Sequence, residues 1–368
     1  MSSRIRTDVL ELNMGPQHPS THGVLRLGLK IDGEVILECD PDVGYLHRGI
    51  EKLAELRTYI QFIPITDRLD YLASMLQNQA YIGAVEKLGR IEVPERAEWI
   101  RMIMVELQRV ASHLVFFGAM GLDLGATTPF LYAFREREDI LDIFEMVCGA
   151  RLTYNYFRPG GVSRELPAGF YEKVRAYIKK QREKLWEYDD LLTDNQIFIA
   201  RTRNVGYISG EDAVNYSMSG PSLRGSGVAY DVRRADPYSF YDKVKWDVVT
   251  RTEGDVQARF LCRCGEIRQS LNIVEQALDM IPEGELKCKT PPRLKLPEGE
   301  VYYHIESAKG DLGVYLVSDG TDKPYRLRWR APSFINLGAM NQMSQNWKIA
   351  DVVAILGSLD VVLGEVDR

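Results

Sequence analysis

The sequence predicts an α+β protein in which a central helical bundle is flanked by small antiparallel sheets. Two observations predict this class: short segments of alternating apolar residues lie near both ends of the chain, and long segments of helical periodicity lie between them. With 368 residues, the chain is long enough for two domains or for one large domain with a shared core.

The first predicted unit, residues 1–42, is a small antiparallel sheet. Apolar residues alternate from Leu25 to Ile31, and the alternation resumes at Val35 after an Asp-Gly pair. This pattern is typical of a β-hairpin. A further strand is predicted over residues 9–14.

The loop over residues 15–23 reads Gly-Pro-Gln-His-Pro-Ser-Thr-His-Gly and joins the first two predicted strands. Its prolines fix the backbone and its glycines allow tight bends, so the loop is suited to holding His18 and His22 in a fixed geometry. The alternative is a rigid turn whose histidines only cap neighbouring backbone groups.

Residues 43–202 are predicted to form the helical bundle. Helical periodicity runs from about 50 to 88 with a break at Pro64, and a helix opened by Pro94 continues to about Met120 with a wide apolar face. So wide a face predicts a helix surrounded by others. Asp123 is placed just beyond this helix, where an aspartate among apolar residues is costly to bury without a partner. Further helices are predicted over residues 128–149 and 169–192.

The remaining chain divides into two predicted units. Residues 203–250 lose helical periodicity and are interpreted as an irregular, partly stranded excursion. Residues 251–368 are predicted to complete the same core with a helix, three short strands and a terminal helix over residues 349–359.

Composition restricts the function classes. The net charge of −6 gives no reason to expect nucleic-acid binding. The N-terminus shows no secretory signal, and no run of about 18 apolar residues exists, so membrane association is expected through partners. The five cysteines are expected to be reduced thiols. Cys262 and Cys264 do not share a helix face, so no metal held by this chain's own thiolates is predicted.

Several motifs taken together resemble a known family. They are the loop over residues 15–23, Gly-Tyr-Leu-His at 44–47, Asp-Arg-Leu-Asp-Tyr at 67–71, Pro-Tyr-Arg at 324–326 and the terminal Val-Asp-Arg. The chain resembles the D-type subunit of respiratory complex I, which lies in the peripheral arm of the proton-pumping NADH:quinone oxidoreductase. It also resembles the equivalent subunits of deazaflavin- and ferredoxin-linked quinone reductases. The family is homologous to the large subunit of nickel-iron hydrogenases, which implies a hydrogenase-like fold.

Two alternatives compete with a quinone site. Hydrogenases hold their metals with four thiolates, and the matching positions here are Asp70, Ala73, Val362 and Glu365, so the soft ligands are missing. A hydrogenase is therefore a weak alternative. A pure scaffold is the other, and against it stands the retained set of a tyrosine, an imidazole and an acid.

The resemblance implies the site residues. His22 and Tyr71 match the family's ligands of the quinone headgroup, and Asp123 matches the acid that pairs with the histidine. A phenol and an imidazole can both donate hydrogen bonds to quinone oxygens, and a nearby carboxylate favours the imidazolium. His18 is expected to shape the loop. The expected substrate is menaquinone or ubiquinone.

The resemblance also implies the electron source and the partners. A [4Fe-4S] cluster in the cluster-bearing, B-type partner subunit is expected beside Arg68, and none is expected in this chain. Thr153 stands where many relatives carry a histidine next to that cluster, which favours a lower-potential acceptor such as menaquinone. The C-type subunit of the peripheral arm and the H-type subunit of the membrane arm are the other expected partners, and the expected location is the cytoplasmic face of the membrane.

Overall fold

The computed structural model describes residues 9–368 of the chain. The N-terminal sheet has three antiparallel strands in the order β1-β2-β3, namely β1 (Leu10–Met14), β2 (Arg26–Asp32) and β3 (Val35–Asp42). The predicted hairpin is confirmed because Asp32 pairs with Val35 across the turn. Residues 1–8 of the first predicted unit lie outside the described residues.

Five helices follow the sheet: α1 (Ile50–Leu56), α2 (Tyr59–Thr66), α3 (Ser74–Gly89), α4 (Glu95–Asp123) and α5 (Thr127–Cys148). The predicted break at Pro64 is wrong by a few residues, because Pro64 lies inside α2. Pro64 removes one hydrogen bond from this short helix, the bond to the Ile60 carbonyl. The chain therefore remains helical as far as Thr66.

Helix α4 is the centre of the bundle. It packs against α5, against the long helix of residues 256–280 and against the last long helix, residues 349–359. Helix α4 has the length and apolar composition of a membrane span, yet 89% of its most apolar window is buried inside the protein. The wide apolar face therefore serves the core, as the sequence predicts.

The middle of the chain contains two two-residue strands and a series of helices: β4 (Phe157–Arg158), β5 (Gly161–Val162), α6 (Phe170–Tyr188), α7 (Gln196–Thr202), α8 (Gly210–Asn215), α9 (Gly220–Arg224), α10 (Val232–Ala235) and α11 (Val256–Met280). A π-helical turn, Asp189–Thr193, extends α6.

The excursion over residues 203–250 contains short helices and loops, and the strands expected there are absent from this part of the described chain. Buried ion pairs attach this segment to the core. The buried guanidinium of Arg224 lies 2.6 Å from a carboxylate oxygen of Glu266 and 2.7 Å from one of Glu306. Such long-range ion pairs leave no periodicity in the sequence, which is why the pattern predicted strands wrongly.

The C-terminal part adds an antiparallel sheet in the order β6-β7-β8 and four helices. These elements are β6 (Gly299–Glu306), β7 (Asp311–Ser318), β8 (Arg326–Arg330), α12 (Pro332–Leu337), α13 (Met340–Ser344), α14 (Ile349–Leu359) and α15 (Leu363–Val366). The α+β class is confirmed, while the division into four units stays a prediction.

The C-terminus is fixed to the segment that follows the N-terminal sheet. The buried Asp367 carboxylate accepts hydrogen bonds from the amides of Gly44 at 2.8 Å and Leu46 at 2.7 Å. Nδ1 of His47 lies 2.6 Å from the Asp367 carbonyl oxygen. Two motifs that are far apart in the sequence therefore meet, and the residues after α14 are held beside the N-terminal loop.

Candidate functional site

The loop over residues 15–23 gives its two histidines different tasks. Nδ1 of the exposed His18 accepts a hydrogen bond from the Ser20 amide at 3.2 Å, and its carbonyl accepts one from the Thr21 amide at 3.1 Å. His18 therefore caps a single 3-10 turn, Pro19–Thr21. His22 follows that turn in the left-handed backbone region, with φ at 55°. The capping alternative is right for His18, and this geometry agrees with its expected role in shaping the loop.

His22 and Asp123 form an ion pair. Nε2 of His22 lies 2.8 Å from Oδ2 of Asp123, and the two side chains are 19% and 12% exposed. Asp123 is the last residue of α4, so the helix continues past its predicted end near Met120 and includes the aspartate. The partner that a buried aspartate requires is therefore the second histidine of the loop.

The ion pair keeps the imidazole charged. Burial alone would lower the pKa of His22, but the hydrogen bond and charge of Asp123, with the charge of Asp360, outweigh burial and raise that pKa above 6.5. The pair therefore favours the imidazolium form of His22, which can donate a proton to a neighbouring acceptor.

Gly357 of α14 closes one side of this pair, and no motif in the sequence pointed to it. A methyl group added at Gly357 would lie 3.1 Å from Oδ2 of Asp123 and 3.6 Å from Nε2 of His22. The only available signal was a glycine inside an otherwise apolar helix, which can mark a close approach.

Tyr71 lies on the turn between α2 and α3. Asp67 and Asp70 point into the protein, while Arg68 and Tyr71 point outwards, with Tyr71 39% exposed. Burial and the charge of Asp70 raise the pKa of Tyr71 above 10. The phenol therefore holds its proton at neutral pH and can donate it at an accessible surface.

The residues after α14, here called the C-terminal segment, contact both the loop that carries His22 and the turn that carries Tyr71. Gly23 packs on Leu363, since a methyl group at Gly23 would lie 2.9 Å from a Leu363 methyl carbon. The Arg48 guanidinium donates to the carbonyls of Arg68 at 2.8 Å and Gly364 at 3.0 Å. Within residues 9–368, no hydrogen bond connects His22 directly to Tyr71, so this segment sets their relative position.

Arg68 and Thr153 lie on two segments that are packed together. Oγ of Ser74 donates to the carbonyls of Asp67 at 2.9 Å and Leu152 at 3.1 Å. Arg68 is exposed and its guanidinium donates to the Pro64 carbonyl, while Thr153 is partly buried. The described residues include no carboxylate in an ion pair with Arg68.

The four positions that the resemblance sets against hydrogenase thiolates, Asp70, Ala73, Val362 and Glu365, contain no soft metal ligand. Asp70 and Glu365 are fully buried there, and Nζ of Lys309 lies 3.2 Å from Oδ2 of Asp70. Across the described part of the chain, no three or more His, Cys, Asp or Glu side chains are grouped as metal ligands.

The other buried or partly buried histidines have structural partners. Nε2 of His113 lies 2.9 Å from Glu266, and burial lowers the pKa of this fully enclosed imidazole. Nδ1 of His304 lies 3.0 Å from Asp311. Both histidines are paired with acids of the fold, although Nδ1 of His113 is buried without a hydrogen-bond partner.

Comparison with known proteins identifies the family. The family model described as "Respiratory-chain NADH dehydrogenase, 49 Kd subunit" matches residues 123–294 and 290–368. The D-type subunit of the NADH-quinone oxidoreductase of Desulforamulus reducens is 54% identical over 363 residues, which are 99% of each chain. The D-type subunits of Clostridium beijerinckii and Dehalococcoides mccartyi strain 195 are 52% and 55% identical, each over 99% of this chain and over 98% and 100% of their own. The chain therefore belongs to the family of the 49-kDa subunit of the respiratory-chain NADH dehydrogenase, within an oxidoreductase complex of respiratory electron transport.

Proposed function

We propose that this chain forms the quinone-reduction site of a proton-pumping NADH:quinone oxidoreductase together with a cluster-bearing partner subunit. The observation that carries the proposal is the ion pair between His22 and Asp123, which holds a proton on an imidazole in a partly dehydrated place. The relatives' names supply the substrate class, because they are NADH-quinone oxidoreductase subunits.

Quinone reduction needs two electrons and two protons. The imidazolium of His22 and the phenol of Tyr71 are the two proton donors, and each approaches one of the two quinone oxygens. The pKa of each donor is raised for a different reason: Asp123 stabilises the charged form of His22, and burial stabilises the neutral form of Tyr71. The exposed face of Tyr71 leaves room for a headgroup to reach the phenol.

A [4Fe-4S] cluster in the cluster-bearing partner supplies the electrons. Arg68 and Thr153 lie on the face proposed to receive that partner, and the exposed guanidinium of Arg68 favours added negative charge nearby. Thr153 is a neutral hydroxyl and cannot take up a proton when the cluster is reduced, which suits a low-potential acceptor such as menaquinone.

The ion pair also provides the start of energy coupling. When His22 gives its proton to the quinone, Asp123 loses its cationic partner in a site where its side chain is only 12% exposed. An unpaired carboxylate there is costly, so Asp123 must move or bind a proton. We propose this event as the signal that is passed towards the membrane arm.

The proposed placement is peripheral, on the cytoplasmic face of the membrane, with the C-type subunit beside this chain and the H-type subunit of the membrane arm at the quinone chamber. A fold like that of the nickel-iron hydrogenase large subunit belongs to the same proposal. The ammonium of Lys309 among buried acids, where hydrogenases keep a metal, supports that relation.

Photolabelling in the intact complex tests the site. A photoreactive quinone analogue is expected to label the Tyr71 turn, and an excess of quinone should suppress the label. Tyr71→Phe should slow quinone reduction, whereas Tyr325→Phe, a change at a tyrosine that is 66% exposed, should not. Labelling confined to other subunits, with unchanged turnover in Tyr71→Phe, would contradict the proposal. Supplying NADH, reduced deazaflavin or reduced ferredoxin in turn identifies the electron donor.

A further inference from the structure

A cavity with a positively charged lining lies beside the turn that carries Arg68. Its volume is about 320 Å³, and the polar residues that line it are Asn155, Arg158, Lys287 and Thr290. The rest of its wall is apolar, and no carboxylate of the described residues lines it. A cavity of this size can hold a side chain or a small ligand. The lining therefore favours an occupant with negative charge.

The backbone places the two cations on opposite sides of a glycine. Arg158 of β4 pairs with Gly161 of β5, and Gly161 also forms an antiparallel bridge with Lys287. The three residues therefore lie in one row across three neighbouring backbone segments, with no side chain at the middle position. The spacing of paired segments puts the backbones of Arg158 and Lys287 about 10 Å apart. This distance leaves room for one anionic group between the two side chains.

Hydrogen bonds and close packing fix this row in place. The Val162 amide donates to the Leu286 carbonyl at 3.0 Å, and the Cys288 amide donates to the Gly160 carbonyl at 2.9 Å. A methyl group at Gly161 would lie only 2.0 Å from the Leu286 carbonyl oxygen, so this approach requires glycine. The two cations are therefore held in a set arrangement by the fold itself.

Neither cation has a carboxylate partner within the chain. Arg158 is half-buried, and its guanidinium donates a hydrogen bond to the side-chain oxygen of Asn155. Within residues 9–368, no ion pair involves Arg158 or the exposed Lys287. Burial lowers the pKa of Arg158, although the charge of Asp67 opposes this shift. A half-buried cation becomes costly when a partner removes its remaining water, so the partner must supply a negative charge.

The position of the cavity indicates which partner covers it. Pro64 lines the cavity, and its carbonyl accepts the hydrogen bond from Arg68. Asn155, which also lines the cavity, follows Thr153 by two residues. The cavity is therefore continuous with the face on which Arg68 and Thr153 are proposed to meet the cluster-bearing subunit.

We propose that this cavity receives an acidic side chain of the cluster-bearing partner subunit, with its carboxylate between Arg158 and Lys287. The choice of partner rests on the function proposed above. The negative charge of the cluster compensates Arg68, and this carboxylate compensates the second group of cations. Two separate charge contacts fix the orientation of the partner on this face.

Carbodiimide cross-linking of the intact complex tests the contact, because this reagent joins a lysine to a carboxylate that touches it. Lys287 should be joined to an aspartate or glutamate of the cluster-bearing subunit, as identified by mass spectrometry of the peptides. The control is Lys245, which is also exposed and without an ion pair in the described chain, and which should not be joined to that subunit. A cross-link from Lys287 only to another subunit, or only within this chain, would overturn the proposal. So would protection of Lys287 from acetylation by inorganic phosphate without any cross-link, because the cavity would then bind a free anion.

Substitutions measure how much the contact contributes. Lys287→Gln should speed the release of the cluster-bearing subunit from the intact complex by about tenfold or more, because loss of one member of a buried charge pair acts on dissociation. Arg158→Gln should act in the same direction, and Lys245→Gln should not change the release. Lys287 is exposed within this chain, so its replacement leaves the fold intact. Equal release rates in Lys287→Gln and Lys245→Gln would show that the contact does not exist.

The results also separate this inference from the proposed function. If Lys287 is joined to another subunit while Asp123→Asn still depresses quinone reduction, the docking contact is wrong and the quinone site stands. If Lys287 is joined to the cluster-bearing subunit while Tyr71→Phe and Asp123→Asn reduce quinone as the wild type does, the docking contact stands and the proposed quinone site fails.

Discussion

His22 lies in a proline-rich loop and Asp123 at the end of α4, about 100 residues later in the chain, yet their side chains meet at 2.8 Å. Burial alone would disfavour the charged form of His22, and Asp123 offsets that effect. The pairing offsets the cost of burying the two charged groups and keeps a proton at the site. Changing either partner should therefore alter both the charge of the site and its response to pH.

Asp123→Asn should preserve the fold and depress quinone reduction. The amide occupies nearly the same volume but no longer stabilises the imidazolium, so His22 loses its role as proton donor. Losing a positioned proton donor costs a rate factor of about 100 or more. Steady-state quinone reduction by the intact complex checks this, with complex assembly verified in parallel.

The matched control is Asp279→Asn. Asp279 is also paired, with Arg175, but its side chain is 62% exposed on the surface. Exposed pairs contribute little, so this control should behave as wild type. Coupled turnover that is unchanged in Asp123→Asn would show that the ion pair has no part in the reaction.

The pH dependence should have a definite sign. Since the pKa of His22 is raised above 6.5 in the folded protein, the ion pair stabilises the fold fully below pH 6.5, and that contribution is lost as the pH rises through the folded-state pKa. Quinone reduction should therefore fall on the alkaline side as His22 loses its proton. In Asp123→Asn, no carboxylate offsets the effect of burial on the pKa of His22. Quinone reduction should therefore fall at a lower pH than in the wild type. An alkaline limb at the same pH in both proteins would contradict this.

Thr153→His should make the proposed partner cluster sensitive to pH. An imidazole next to the cluster can take up a proton when the cluster gains an electron, whereas threonine cannot. One proton per electron corresponds to about 59 mV per pH unit within the range between the two pKa values of the histidine. Potentiometric titration of the cluster at several pH values measures this slope. Thr153→Val is the control and should show the weak slope of the wild type.

The sequence predicted correctly those elements of the fold that have a local pattern of apolar residues. Alternation located the β2–β3 hairpin, and the apolar stripe located α4 as a buried helix. It was insufficient where a contact is long-range. The strands expected over residues 203–250 are short helices because ion pairs such as that of Arg224 with Glu266, rather than periodicity, hold that segment in place.

In the candidate site, too, some residues could be predicted from the sequence and others could not. The sequence showed that Asp123 needs a partner, the family resemblance implied that this partner is His22, and the structure brings the two together. Gly357 and Lys309 were missed because a glycine in a helix and a lysine in a strand connection carry no signal of what they approach in space. The tertiary structure places Gly357 against the His22–Asp123 pair and Lys309 against Asp70.

Asp367→Ala should destabilise the protein through the C-terminal anchor. Removing the carboxylate breaks two part-buried hydrogen bonds, from the amides of Gly44 and Leu46, which costs about 2 kcal/mol in total. Thermal and denaturant unfolding of the purified full-length chain measure the loss. Asp279→Ala removes a surface ion pair and should cost less than about 1 kcal/mol.

Because the anchored segment also carries Asp360 and packs beside Gly23, Asp367→Ala in the assembled complex should lower quinone reduction at temperatures where the fold is still intact. Equal stability of the two alanine variants would show that the amides find other partners, and that the terminal motif does not hold the site together.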